Sequence, residues 1–132
     1  MSGDLKFEHF GVNIADPVAV AEWYCENLGM KIVRQGEGPV YMHFLADSTG
    51  RVVIELYSSP PELVPDYPNQ HTQVLHMAFA TGDMDGTIER LKVAGATLEG
   101  APGTTPAGDA LAMMRDPWGF ALQLTQRAEP MI

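Results

Sequence analysis

Residues 7–14, Phe-Glu-His-Phe-Gly-Val-Asn-Ile, alternate between apolar and polar positions. Phe10, Val12 and Ile14 fall on one side; His9, Gly11 and Asn13 fall on the other. A period of two predicts a strand with one apolar face. Asp16-Pro17 then supplies an N-cap and a proline at the first helical position. Ala21, Tyr24/Cys25 and Leu28 recur at helical spacing, and Gly29 predicts the stop. Strands are predicted next over 30–35, 40–46 and 51–58, separated by turn chemistry at Gly36–Pro39 and Asp47–Gly50. Residues 59–72 carry Pro60, Pro61, Pro65 and Pro68, too many for a regular element, and predict an extended linker.

The pattern then restarts. In residues 74–81, Leu75, Met77 and Phe79 alternate against His76, Ala78 and Ala80. Asp83 caps a second predicted helix whose stripe is Met84, Ile88 and Leu91 and whose end is Gly95. Strands follow over 96–99, 110–115 and 120–126, and Asp116-Pro-Trp-Gly119 fits a type I turn. Each half therefore reads β-α-β-β-β, an α+β fold class. His9 to His76 is an offset of 67 residues, Asp16 to Asp83 is 67, and Glu55 to Gln123 is 68. Three unrelated features at nearly one offset predict an internally duplicated unit. The expected organisation is one domain over 1–132, with module one at about 6–58, the linker at 59–72 and module two at about 73–126.

The duplication gives four polar residues a common context. His9, Glu55, His76 and Gln123 each lie opposite the most apolar face of a predicted strand. Two imidazoles with one carboxylate suit a divalent transition metal (Zn, Ni, Co, Mn or Fe), whereas Mg or Ca would call for an all-oxygen set. Gln123 adds a neutral carbonyl oxygen and is the weakest donor of the four. Glu55, the sole carboxylate among them, is the candidate to move a proton. A lone strand histidine is more often a packed, hydrogen-bonded residue than a ligand; the symmetry-related set changes that balance. Asn13, Tyr41, His43 and Tyr57 are candidates to line a substrate pocket. Ordinary strand packing explains Tyr41, His43 and Tyr57 equally well. Cys25 reads as a small core residue, and residues 100–109 as a lid or a loop.

Composition narrows the partners. The chain has 132 residues, 45% apolar and 19% charged, enough for one domain with a real core. A net charge of −9 with scattered Lys and Arg disfavours nucleic acid and anionic membranes. One cysteine permits neither an internal disulfide nor a thiolate cluster. The N-terminus shows no apolar signal region, and no apolar run reaches the ~18 residues of a membrane helix, which predicts a cytoplasmic protein.

The stretches Glu8–Asp16, Trp23–Met30, Val53–Tyr57, Leu75-His76 and Asp116–Leu124 resemble the vicinal oxygen chelate superfamily in order and spacing. Its members include glyoxalase I, bleomycin-resistance proteins and extradiol dioxygenases. The resemblance covers about residues 6–126. It implies two βαβββ modules forming an open, U-shaped barrel-like sheet with helices outside, around a metal. It also implies a homodimer with sites at or near the interface and a small-molecule substrate. The four-ligand layout and Leu28–Arg34 look most like glyoxalase I, a lyase that isomerises the hemithioacetal of methylglyoxal and glutathione while a metal-ligating carboxylate shuttles the proton.

Four departures bear on substrate. The family's fourth ligand is normally Glu and is Gln123 here. Glyoxalase I has Arg, Asn and a basic residue at the places of Asn13, Ser59 and Thr72. These point away from glutathione and toward a glyoxalase-like isomerisation of another oxygen-chelating substrate. Two alternatives follow from the same residues. His9, His76 and Glu55 form the 2-His-1-carboxylate set of a non-heme Fe(II) dioxygenase. A non-catalytic, bleomycin-resistance-like binding protein is the other.

Overall fold

Short alternating segments with capped helices between them fold into two sheets of the same design. The structure is a computed structural model and describes residues 3–132. It divides into two compact units, one ending at Pro65 and one beginning at Asp66. The first contains β1 (Phe10–Asn13), α1 (Pro17–Leu28), β2 (Lys31–Gln35), β3 (His43–Ala46) and β4 (Val53–Tyr57). The second contains β5 (Met77–Ala80), α2 (Met84–Val93), β6 (Thr97–Thr104), β7 (Ala110–Arg115) and β8 (Ala121–Gln126).

The sheet orders are β1-β4-β3-β2 and β5-β8-β7-β6. In each, the first strand runs parallel to the last and the remaining pairs are antiparallel. This is the βαβββ repeat expected from the hydrophobic pattern.

Local chemistry sets the helix ends. The Asp16 carboxylate accepts the Ala19 N–H at 3.1 Å, and Gly29 closes α1 in the left-handed conformation at φ 69°. Asp83 does the same for α2, accepting the Gly86 N–H at 3.0 Å. The buried face of α2 follows its predicted stripe, whereas α1 buries Ala21 and Tyr24 of its stripe together with Val20 and Trp23 and leaves Cys25 and Leu28 half-buried. Val20, Ala21 and Tyr24 of α1 are buried with Leu45, Ile54 and Leu56 in the first unit. Met84, Ile88 and Leu91 of α2 are buried with Ala112, Met114, Leu122 and Leu124 in the second. Burying a Leu or Ile side chain contributes roughly 1.5–3 kcal/mol, so these faces fix the strand register.

The structure shortens or reshapes several expected elements. The strand expected at 7–14 pairs only from Phe10, because β4 offers partners from Ile54 to Tyr57 alone. Residues 74–76 leave the expected strand as well: the Val74 N–H donates to the His71 carbonyl at 3.0 Å in a turn, and β5 starts at Met77. The proline-rich linker holds two 3-10 turns, Pro61–Leu63 and Tyr67–Asn69. Its second part is fastened by Arg115, which donates to the carbonyls of Tyr67, Gly119 and Gln70 at 2.9–3.0 Å. A Cβ at Gly119 would collide with Pro68, so this turn position requires glycine for space as well as for its φ of 88°. The segment 100–109 is half strand: a register shift between Glu99 and Gly103 lets β6 continue to Thr104. Among the described residues, no helix is long and apolar enough to cross a membrane.

Candidate metal centre

Parallel pairing places Gly11 across from Glu55 in the first unit and Ala78 across from Gln123 in the second. His9 and His76 each stand two residues before that small residue and one residue before their strand begins. The donor pairs His9/Glu55 and His76/Gln123 thus occupy equivalent positions. Both carboxylate and amide lie on the face of their sheet opposite the buried Ile54/Leu56 or Leu122/Leu124.

In the first unit, His9 Nε2 lies 3.5 Å from Glu55 Oε1. Its Nδ1 lies 2.9 Å from the Glu8 carboxylate, and its ring meets Phe44 edge-on, with centroids 5.0 Å apart at 89°. A carboxylate only accepts, and each ring nitrogen of His9 faces one; when the neutral ring donates across the shorter contact, to Glu8, the Nε2 lone pair faces Glu55. Two acceptors at that distance repel unless a cation lies between them. A metal ion or a second proton removes the repulsion. The pair fits a metal, as it also fits a protonated ring.

In the second unit, His76 Nδ1 lies 3.0 Å from the Thr72 carbonyl oxygen. A carbonyl also only accepts, so Nδ1–H donates and the Nε2 lone pair is left for a ligand. Metal-binding histidines are commonly oriented by such a bond from the ring nitrogen that does not face the metal. Gln123 faces Met113 across the β7–β8 pair and can offer its amide oxygen. Among the described residues, no group of three or more His, Cys, Asp or Glu side chains gathers to hold a metal ion; each unit by itself presents two donors.

The expected pocket residues separate. Tyr57 joins the Glu55 face: a Cβ on Gly11 would meet its ring at 3.1 Å and Glu55 Oε1 at 3.6 Å. Glycine at position 11 keeps that face open. Asn13 is occupied elsewhere. Its Oδ1 accepts the Ser59 N–H at 2.9 Å, and its Nδ2 donates to the Pro60 carbonyl at 3.0 Å. His43 is across from Leu56 and so lies on the helix side of the sheet, opposite Glu55. Tyr41 precedes β3, with its ring over Gly38.

Glu8 and Phe44 are additions that the sequence reading passed over. Glu8 adjoins His9 in sequence. Phe44 alternates with His43 and falls across from Glu55 through the β3–β4 register, which sequence parity does not supply. Burial pushes the Cys25 thiol up, against a hydrogen bond from the Ile32 backbone and with the Glu26 charge adding to the rise.

A family model described as the Glyoxalase/Bleomycin resistance protein/Dioxygenase superfamily matches residues 6–124. The chain is 28% identical over 127 residues to a probable lactoylglutathione lyase of Vibrio cholerae, covering 92% of this chain and 90% of that protein. A crystal structure of a glyoxalase I mutant from Zea mays superposes with a TM-score of 0.71 at 26% identity, over 94% of this chain and 46% of that one. The crystal structure of TnmS3, an antibiotic binding protein from a Streptomyces species, has a TM-score of 0.72 at 22% identity, over 97% and 100%.

Proposed function

The chain belongs to the glyoxalase/bleomycin resistance protein/dioxygenase superfamily, and on that premise we propose that it is a glyoxalase-like, metal-dependent enzyme that isomerises a small oxygen-chelating substrate without glutathione. The observation that carries this reading is the approach of two metal-competent groups, His9 Nε2 and Glu55 Oε1, 3.5 Å apart. His76 and Gln123, at the equivalent register, supply the second donor pair.

Two imidazoles, a carboxylate and an amide oxygen suit Zn, Ni, Co, Mn or Fe(II). When bound, such an ion polarises a substrate carbonyl and acidifies the C–H beside it. Glu55 takes that proton and returns it to the neighbouring carbon, so the reaction conserves atoms and electrons. Gln123 has no proton equilibrium near neutral pH and takes no part in the transfer. Glu8 holds the His9 ring, and the Thr72 carbonyl holds the His76 ring. Tyr57 sits beside Glu55 and flanks the substrate.

Independence from glutathione is supported by Asn13, whose amide is spent on the backbone of residues 59–60. A homodimer belongs to the same reading. Leu5 and Phe7 are 96% and 79% exposed ahead of β1, apolar surface of the kind that an interface covers.

One observation favours a binding-only protein instead: the neutral amide at Gln123 removes a negative charge from the donor set. The test is deuterium uptake from D2O by hemithioacetals of methylglyoxal, formed with glutathione or with 2-mercaptoethanol, using protein loaded with each metal in turn. The proposal expects metal-dependent uptake with the simple thiol. Uptake confined to the glutathione adduct, or none with any metal, would contradict it.

A further inference from the structure

A depression of about 680 Å³ opens in the first unit, bounded by Val18, Gln35, Glu37, Pro39, Tyr41 and His43. Its deepest polar residue, His43, shares a face with Leu45 and Leu56 and so lies on the α1 side of the sheet. The sheet separates it from His9 and Glu55. The metal reading makes no use of this site and does not depend on it.

Three observations coincide there. His43 is buried, at 5% exposure. Its Nδ1 lies 2.7 Å from the Tyr41 carbonyl oxygen, so Nδ1–H donates and Nε2 keeps its lone pair. Among the described residues Nε2 has no protein partner, yet it is not sealed from solvent. An almost buried acceptor with residual solvent access thus belongs to a residue that lines the depression.

Tyr41 is the second. It is the one non-glycine residue at positive φ among the described residues, at 51°. A bulky residue adopts that conformation rarely, and such outliers gather at binding and catalytic sites. Here the turn aims the Tyr41 carbonyl at His43. The same turn lays its ring on Gly38, where a Cβ would meet ring carbon at 2.6 Å. The residue remains 45% exposed, which leaves ring surface for a ligand.

Charge is the third. Glu37 lines the depression and no Lys or Arg does. The Gly36 and Tyr41 N–H groups donate to the backbone carbonyls of Met42 and Glu37 at 2.7 and 3.2 Å, so neither is free to hold an anion. The chain carries a net charge of −9, which concentrates cations at its surface.

We propose that this depression binds a small organic ammonium ion, whose N–H donates to His43 Nε2 while its charge lies against Glu37 and the Tyr41 ring. An ammonium supplies the three things the site lacks: a donor, a positive charge and a partner for an aromatic face.

The test is a titration of the whole ¹⁵N-labelled chain at pH 8 with 1,4-diaminobutane, followed by NMR. 1,4-Butanediol and succinate serve as neutral and anionic controls of similar length. The diamine is expected to give saturable shifts centred on residues 35–43, and the controls none. Glu37→Gln, an exposed change that leaves the core alone, is expected to weaken binding by about fivefold, the scale of an exposed ion pair. Tyr41→Leu is expected to weaken it as well. Equal binding of the diol, absent or non-saturating shifts, undiminished binding by Glu37→Gln, or shifts centred on His9 and His76 would each overturn the proposal.

Discussion

Glu55 and Gln123 hold one and the same position of a duplicated unit, each directly across from a small residue, Gly11 or Ala78, on the first strand of its sheet. They differ by an NH2 group in place of an oxygen, and so by one negative charge. Ligand charge sets much of a site's affinity for a divalent ion. Gln123→Glu is therefore expected to tighten metal binding by roughly tenfold or more, read by competition with a chromophoric chelator. Unchanged affinity would remove Gln123 from the ligand set.

Glu8 holds His9 Nδ1 at 2.9 Å but is largely exposed. Outer-shell partners of this type contribute about 10- to 100-fold in metal affinity, and solvent screening places Glu8 at the low end. Glu8→Ala is expected to weaken metal binding by about tenfold at most, with no change in the thermal unfolding of the metal-free protein.

Asn13 provides the contrast. Its two hydrogen bonds to residues 59 and 60 tie the start of the linker to β1. Asn13→Ala is expected to cost about 1–2 kcal/mol of stability, measured by denaturant unfolding. It should leave metal affinity within about twofold, since no metal donor is lost.

Where the sequence was legible, periodicity and capping carried the information. The α2 stripe Met84, Ile88 and Leu91 and the caps Asp16 and Asp83 appear where the pattern puts them, because helix phase and cap chemistry are local. The offset of 67–68 residues between halves correctly implied equal registers around Glu55 and Gln123. Pocket lining was less legible. His43 was a pocket-lining candidate, but its side is fixed by its partner Leu56, and antiparallel register depends on where β3 begins. Asn13 was a pocket-lining candidate too, and its partners, Ser59 and Pro60, are 46 and 47 residues away. The same distance hid the anchoring of the linker by Arg115, which reaches back to Tyr67 and Gln70.

Two carboxylates make the fold sensitive to acid. Burial pushes the Asp47 carboxyl up, but hydrogen bonds from the Thr49 side chain and from the Val52, Thr49 and Arg51 backbone outweigh it and hold the group below its usual range. Asp109 is held low first by the Ala128 N–H, which outweighs slight desolvation, then by the hydrogen bond and charge of Arg127 and by Thr105. A carboxylate whose folded pKa is depressed contributes stability above its unfolded pKa, about 4. That contribution is lost as pH falls through the folded value. Unfolding midpoints are expected to drop as pH falls below about 4, and an Asp47→Asn, Asp109→Asn double variant should show a shallower drop over the same range.

Glu55 is the proposed proton carrier as well as a metal donor. Glu55→Gln keeps an oxygen donor and removes the base. Deuterium uptake by the metal-loaded variant is expected to fall by about 10²- to 10⁴-fold, the usual worth of a general base. A residual rate within about threefold of wild type would assign proton transfer to another group.

Metal stoichiometry of the purified, reconstituted chain tests the central claim most directly. The proposed donor set of His9, Glu55, His76 and Gln123 expects about one divalent transition metal per chain by elemental analysis after dialysis. His76→Ala and Glu55→Ala should each lose most of it under the same dialysis. A wild-type protein that stays far below one metal per chain after reconstitution, or a Glu55→Ala variant that keeps its full complement, would contradict the account.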